Sequence, residues 1–272
     1  MRHLVRLDDW DADDVRAVFD LARRYESGDG PRHDGAVAMF FPAASLRTRA
    51  SFERGAHVMG LQPVVFPPES LDKPEAAADV AGYLAQFVDA MVVRHADISV
   101  LDALAEADAL PVVNAMTDEN HPCEVLADVF ALARDTDVRG LRFLFVGADG
   151  NIGRAWQEAA RLFDLDLVQC APPALAVPGA RWTDDLAKAV RHADVVLTDG
   201  PGRHAEALAP FRVTADLLAT APDGVRFAPC PPFLRGREAS ADALDGPWFV
   251  GHAFKRALLP VQQAVLAHVL AA

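Results

Sequence analysis

The chain has 272 residues, 51% of them apolar and 24% charged, with a formal net charge of −13. That balance suits a soluble globular protein of two ordinary domains or one large one, and it argues against nucleic acid and anionic membranes as partners. An anionic ligand must then meet a local basic patch built mainly of arginine, because Lys73, Lys188 and Lys255 are the only lysines.

Short apolar runs alternate with longer amphipathic ones along the whole chain. Strands are expected at 36–41, 62–66, 90–94, 111–114, 142–147, 165–170, 194–198, 225–228 and 248–250. Helices are expected at about 11–26, 46–59, 75–87, 99–107, 121–134, 152–163, 183–191, 214–220 and 256–271. Strands separated by helices imply parallel sheets covered on both faces, so the fold class is α/β, two doubly wound sheets joined by interdomain helices. The polar stretch Arg134-Asp135-Thr136-Asp137-Val138-Arg139-Gly140 divides a first domain, 1–134, from a second, 135–255, and the closing helix 256–272 is expected to pack back on the first. Ligands of such sheets bind beyond the carboxyl ends of strands.

The first constellation there is Ser45-Leu46-Arg47-Thr48-Arg49, between an apolar strand and a helix. Free N–H groups at a helix start favour an anion, and arginine adds a planar fork that matches phosphate oxygens. An N-cap serine followed by solvated arginines would read the same way, so a second constellation has to weigh in. Asp118-Glu119-Asn120-His121-Pro122-Cys123-Glu124 supplies it. Asn120 or the preceding acids can cap the helix, and Pro122 fits its first turn. His121 then stands where the dipole disfavours imidazolium, a place for a neutral imidazole donor aimed at a carbonyl oxygen. Glu124, one turn on, faces the same way. Arg94 closes the buried-looking strand Met91-Val92-Val93, and a charge there must be paired or face a cleft. Lys73 reads most simply as a solvated loop charge.

In the second half, Gly147-Ala148-Asp149-Gly150-Asn151-Ile152-Gly153-Arg154 has the form of a dinucleotide loop. The next strand ends Val168-Gln169-Cys170-Ala171, without the acid that would hold a ribose, which weakens the oxidoreductase reading. Asp199 and Cys230 both close strands, and a carboxylate with a thiol could orient an amine. Cys123, Cys170 and Cys230 form neither a metal-ligand pair nor a disulfide framework, which fits a reducing compartment. No apolar run has the length of a membrane span, and Met1-Arg2-His3-Leu4 lacks the apolar core of a signal peptide. A cytoplasmic enzyme without metal or other cofactor is the expectation.

Taken in order, from Leu4 to about Leu270, these pieces resemble the aspartate/ornithine carbamoyltransferase family. Ser45-Leu46-Arg47-Thr48-Arg49 is similar to its Ser-x-Arg-Thr-Arg phosphate loop, Arg94 to its strand-end arginine, and His121-Pro122-Cys123-Glu124 to its His-Pro-x-Gln. Lys73 is similar to the mobile-loop lysine that a neighbouring subunit donates. Asn151, Asp199 and Cys230 match positions that hold the acceptor in the ornithine branch. The resemblance implies homotrimers with shared active sites, carbamoyl phosphate as donor and an amino acid as acceptor. It places the phosphate on Ser45, Leu46, Arg47, Thr48 and Lys73, and the carbonyl oxygen on Arg94, Thr48 and His121. Glu124 would accept from the carbamoyl NH2.

Several positions depart from the family pattern. Leu46 replaces a common Thr, Glu124 a Gln, Gly150 the first Asn of Asp-Gly-Asn-Asn, and Pro229 and Pro231 the residues around the Cys. The Ser-Met-Gly loop after Asp199 is missing, and Lys255-Arg256 only lies near the place of a late Asn-Arg. Ornithine or a shorter diamino acid is the expected acceptor. An aspartate-type enzyme and a catalytically weak binding or structural subunit are the alternatives within the family, with an oxidoreductase outside it.

Overall fold

The computed structural model describes residues 1–271; residue 272, the end of the expected closing helix, lies outside the described residues. In chain order the main elements are α1 (Ala12–Ser27), β1 (Gly35–Phe40), α2 (Arg47–Met59), β2 (Leu61–Phe66), α3 (Ala77–Leu84), β3 (Ala90–Arg94), α4 (Ile98–Glu106), β4 (Val112–Met116) and α5 (Pro122–Leu132). They continue as β5 (Arg142–Val146), α6 (Asn151–Phe163), β6 (Asp166–Cys170), β7 (Trp182–Thr183), α7 (Leu186–Val190), β8 (Val195–Thr198), α8 (Ala205–Leu208), α9 (Ala215–Leu218), β9 (Arg226–Pro229), α10 (Ala241–Asp245) and α11 (Leu258–Leu270). The chain divides into two compact units, Met1–Ala131 with the segment from Lys255 onward, and Leu132–Phe254.

The first unit carries a four-stranded parallel sheet in the order β2-β1-β3-β4. Side chains alternate across a strand, yet consecutive residues Val37, Ala38, Met39 and Phe40 are all buried, so both faces of the sheet are covered. Ala38, Phe40, Met91 and Val93 share one core with Ile98, Leu101 and Leu104 of α4. The last helix, α11, packs against α1 and α2. It is buried on every side, which explains its nearly uninterrupted apolar sequence, and Pro260 is tolerated because it falls in the first turn.

The joint between α2 and β2 depends on Gly60, which ends the helix with φ +100 and whose Cβ, were there one, would lie 2.3 Å from the His33 carbonyl oxygen. Gly60→Ala therefore carries the left-handed penalty of about 1–2 kcal/mol and a backbone clash besides. A lower urea midpoint with an unchanged denaturant slope is the expected result; an unchanged midpoint would show that β2 can shift to absorb the side chain.

The second unit holds a five-stranded parallel sheet in the order β7-β6-β5-β8-β9. Leu144, Val146, Val196 and Phe227 of its strands belong to one core with Leu186 and Val190 of α7. Both sheets are thus doubly wound, and in each the chain reverses direction across the sheet at one point. That point lies between β1 and β3 in the first sheet and between β5 and β8 in the second.

Some expected elements differ. Residues 248–250 form no strand; Phe249 makes only an isolated bridge to Phe227. Trp182–Thr183 form a short edge strand that overlaps the start of the expected helix 183–191, and α7 begins only at Leu186. The closing helix begins at Leu258, after a 3-10 segment over His252–Ala257. These are short, weakly periodic pieces whose form is set by neighbours rather than by local pattern.

Candidate active site

In the first unit the residues of interest gather beyond the carboxyl ends of β1 and β3, where a doubly wound sheet opens a crevice. From β1 the chain turns through Pro42 to Ser45 and enters α2 at Arg47. Leu46 takes the N-cap position without a side-chain cap bond, so Ser45 is not the capping residue that the simpler reading would make it. Its hydroxyl, 4% exposed as a residue, instead accepts from Arg94 Nη1 at 3.1 Å, and the same nitrogen reaches the Thr48 hydroxyl at 3.3 Å. The uncapped first amides of α2 keep their unmet donors beside this cluster.

Arg94 is half-buried at the end of β3, and its pKa is lowered, first by burial and then by the charge of Arg47, with Asp118 acting in the opposite direction. Arg47 is exposed, and no ion pair to another described residue holds it. Two guanidinium groups that repel each other, two hydroxyls and a helix start make a place where an anion relieves strain in the electrostatics. Leu46, by contrast, is 74% exposed and can offer only its backbone.

His121 directly precedes α5 and is 6% exposed. Burial lowers its pKa to about 4; Glu124 opposes the shift, while Arg94 and Lys255 add to it. A lowered histidine is neutral at all pH well above that value, so the ring at pH 7 is imidazole, as the sequence suggests. Its Nδ1 is buried with no hydrogen-bond partner among the described residues. The turn before α5 is held by Thr117, whose Oγ1 accepts from the Glu119 and Asn120 amides and whose N donates to the Asn120 carbonyl; these bonds precede the helix and do not cap it.

Glu124 is buried, with Oε2 4.0 Å from His121 Nε2 and Oε1 accepting from Lys255 Nζ at 2.8 Å. Lys255 also donates to both oxygens of Asp128, at 2.6 and 2.9 Å. This ion cluster was not anticipated from the sequence. The signal was there: Glu124 and Asp128 stand four apart on a helix otherwise apolar from Val125 to Leu132, and two buried acids on one face demand a cation.

Lys73 is exposed in the loop after Pro68–Leu71, with no side-chain partner among the described residues. The loop itself is tied down by Asp72, whose carboxylate bonds His95 Nε2 at 2.9 Å, next to Arg94. Pro68, Glu69, Asp72, Arg94, His95 and Asp118 line one cavity there, and Lys73 is not part of its wall.

In the second unit Asn151, Asp199 and Cys230 follow the carboxyl ends of β5, β8 and β9, flanking that sheet's reversal point. Asn151 begins α6, its Oδ1 accepting from the Ile152 amide. Asp199 is half-buried, accepts from the Gly200 amide, and lines a cavity with Phe211, Arg212 and Glu238. Cys230 is 7% exposed. Arg154 turns back to Asp149, with nitrogen–oxygen contacts of 2.6 and 3.1 Å.

The glycine loop has the close packing of a dinucleotide turn, since a Cβ on Gly153 would lie 2.9 Å from both the Ala148 carbonyl and Phe145. Where a ribose-binding acid would stand, however, Gln169 is fully buried and spent on the backbone. It donates to the Gly147 and Leu175 carbonyls and accepts from the Val177 amide. The oxidoreductase reading loses its remaining support.

Residues 2–134 match the family described as "Aspartate/ornithine carbamoyltransferase, carbamoyl-P binding domain". The ornithine carbamoyltransferase of Nitrosomonas europaea is 31% identical over 302 residues, covering 99% of this chain and 97% of that protein. That of Chromohalobacter salexigens is 36% identical over 241 residues, covering 80% and 78%. Among solved structures, ornithine carbamoyltransferase from Burkholderia thailandensis superposes with a TM-score of 0.90 at 30% identity, covering 99% of each chain. The enzyme from Pyrococcus furiosus also gives 0.90, at 27% identity, covering 99% and 97%.

Proposed function

We propose that this chain, which belongs to the aspartate/ornithine carbamoyltransferase family, moves the carbamoyl group of carbamoyl phosphate onto the amine of an amino acid, ornithine first, and releases phosphate. The observation that carries this reading is Arg94 holding both Ser45 and Thr48 while Arg47, close enough to depress it, makes no direct ion pair among the described residues and acts on Glu124 only at a distance. That charge arrangement suits a phosphate with a carbonyl attached.

Carbamoyl phosphate binds first, its phosphate on Ser45, the α2 amides at Leu46 and beyond, Arg47, Thr48 and Lys73. Arg94, Thr48 and neutral His121 meet the carbonyl oxygen, whose negative charge grows as the carbon becomes tetrahedral. Glu124 accepts from the carbamoyl NH2. An uncharged acceptor amine attacks the carbon, a C–N bond forms, the C–O bond to phosphate breaks with its electrons leaving on phosphate, and the proton lost by the amine goes to that phosphate. Asn151 holds the amino-acid end of the acceptor, and Asp199 and Cys230 flank its amine. A cytoplasmic homotrimer in which Lys73 comes from a neighbour completes the reading; no helix among the described residues is long and apolar enough to cross a membrane.

The acceptor is a diamino acid, because the carboxylate of Asp199 attracts an amine and repels the second carboxylate of aspartate. A shorter homologue such as 2,3-diaminopropionate rivals ornithine for one reason. After Asp199 the chain passes straight through a 3-10 turn at Gly202–His204 into α8, leaving no long loop to shape the pocket. Pocket shape alone separates acceptors by roughly 10–200-fold per methylene. Phosphate release with aspartate, ornithine, 2,4-diaminobutyrate and 2,3-diaminopropionate tests this. A diamino acid should give the highest kcat/KM; aspartate in first place would end the roles given to Asp199 and Cys230, and no turnover with any amine would leave the silent-subunit reading.

A further inference from the structure

Lys255 and Asp128 form with Glu124 an ion cluster of the first unit that the mechanism above uses only through Glu124. Lys255 sits in the 3-10 segment before α11, and its ammonium is 2.8 Å from Glu124 and 2.6 Å from Asp128. The side chains of Lys255, Glu124 and Asp128 are 17%, 8% and 5% exposed. Two carboxylates share one cation here, so in isolation the group is one negative charge in excess. Buried excess charge is costly, and one acid must give way.

The surroundings decide which. Glu124 faces His121 just before its helix, Asp128 on that helix, Lys255 on the 3-10 segment and Arg47 on α2, while Arg94 on β3 acts on His121. Burial pushes Glu124 upward, but Lys255, with smaller help from His121 and Arg47, outweighs it and the net direction is down. Asp128 is raised to about 6, by burial first, with Lys255 opposing and the charge of Glu124 adding to the rise. Asp128 is thus the acid that takes up a proton first as the pH falls, and Glu124 the one that stays a carboxylate.

We infer that Lys255 is a positioning residue for carbamoyl transfer, fixing one oxygen of Glu124 and cancelling its charge so that the other can accept from the carbamoyl NH2. The inference rests on the proposed function. It also explains how a glutamate can occupy a place where an acceptor oxygen is wanted but a bare negative charge beside phosphate is not. An unpaired carboxylate would repel the donor, and a protonated one would offer an O–H where an acceptor is needed. Lys255 prevents both.

A double-mutant cycle tests it. Wild type, Lys255→Met, Glu124→Gln and Glu124→Gln/Lys255→Met are compared for phosphate release with the best acceptor between pH 6 and 9, with circular dichroism on the same samples. Lys255→Met should lose about 10²-fold in kcat at pH 7, the scale of a misplaced catalytic contact. Without the ammonium, burial is opposed only by His121 and Arg47, the Glu124 pKa rises, and the activity of Lys255→Met relative to wild type should climb with pH. Glutamine presents a neutral acceptor oxygen, so removing Lys255 from the Glu124→Gln background should cost less than threefold. That comparison holds even if the single Lys255→Met protein fails to fold. A tenfold or larger loss there, or a folded Lys255→Met enzyme with the wild-type pH profile, overturns the inference alone. Wild type inactive with every acceptor overturns the proposed function, and the inference with it.

Discussion

Replacing Arg94 with alanine is expected to lower kcat/KM for carbamoyl transfer by about 10²–10³-fold, the loss found when a donor to a developing oxyanion is removed. Arg94 is the only described residue whose side chain touches both hydroxyls of the phosphate loop, at 3.1 and 3.3 Å, and it stands at the carboxyl end of β3 beside the reversal point of the sheet. Its removal costs twice: the carbonyl oxygen loses a cation, and Ser45 and Thr48 lose the donor that orients them. Lysine should not restore the activity, because a single ammonium cannot span two acceptors and a ligand as the planar fork does. The fold should survive, since the residues that bury β3 are Ala90, Met91, Val92 and Val93. Steady-state phosphate release with matched dichroism spectra measures this, and a folded Arg94→Ala enzyme within threefold of wild type would falsify the assignment.

How much of this site could be read from sequence depends on how local each signal is. Ser45, Arg47, Thr48 and Arg94 were visible because an apolar strand that ends in polar residues points to a crevice whatever the strand order. The strand order itself was not visible. That β3 returns beside β1, bringing Arg94 from 46 residues away onto Thr48, is a fact of sheet pairing and crossover. His121 was legible as a neutral imidazole from its helix-start position, although burial proves the larger cause. The Thr117 turn before α5 was missed, because side-chain-to-backbone bonds of this kind are chosen by three-dimensional placement rather than by local pattern. Lys255 was missed for a different reason. Its partners lie 131 and 127 residues away, and an isolated lysine in a polar turn carries no periodicity to mark it. The dinucleotide-like loop shows the reverse error to guard against: Gly153 is demanded by helix–strand contact alone, and Gln169 reveals that no ligand need be involved.

Mixing Lys73→Ala subunits with Arg47→Ala subunits should restore activity that neither variant has alone. On the proposed function, each substitution removes a cation from the same phosphate. Arg47→Ala loses a bidentate contact worth roughly 2–4 kcal/mol of donor binding or transition-state stabilisation, so either homogeneous preparation should be nearly silent. If Lys73 serves its own chain, every subunit in the mixture carries one defect and recovery is nil. If it serves a neighbour, a hybrid oligomer contains sites in which both defects fall on one place and others in which neither does. The loop's geometry sharpens the choice. Asp72 anchors it to His95 at 2.9 Å, beside the chain's own Arg94, yet the next residue, Lys73, is exposed and outside the wall of that cavity. A lysine side chain exposed just beyond that anchor is suited to donation across a subunit boundary. After dissociation and reassociation, with exchange verified by mass, an equimolar mixture should regain a clear fraction of wild-type turnover. No recovery despite complete exchange would mean that each chain builds its phosphate site from its own residues, and Lys73 would revert to a solvated loop charge.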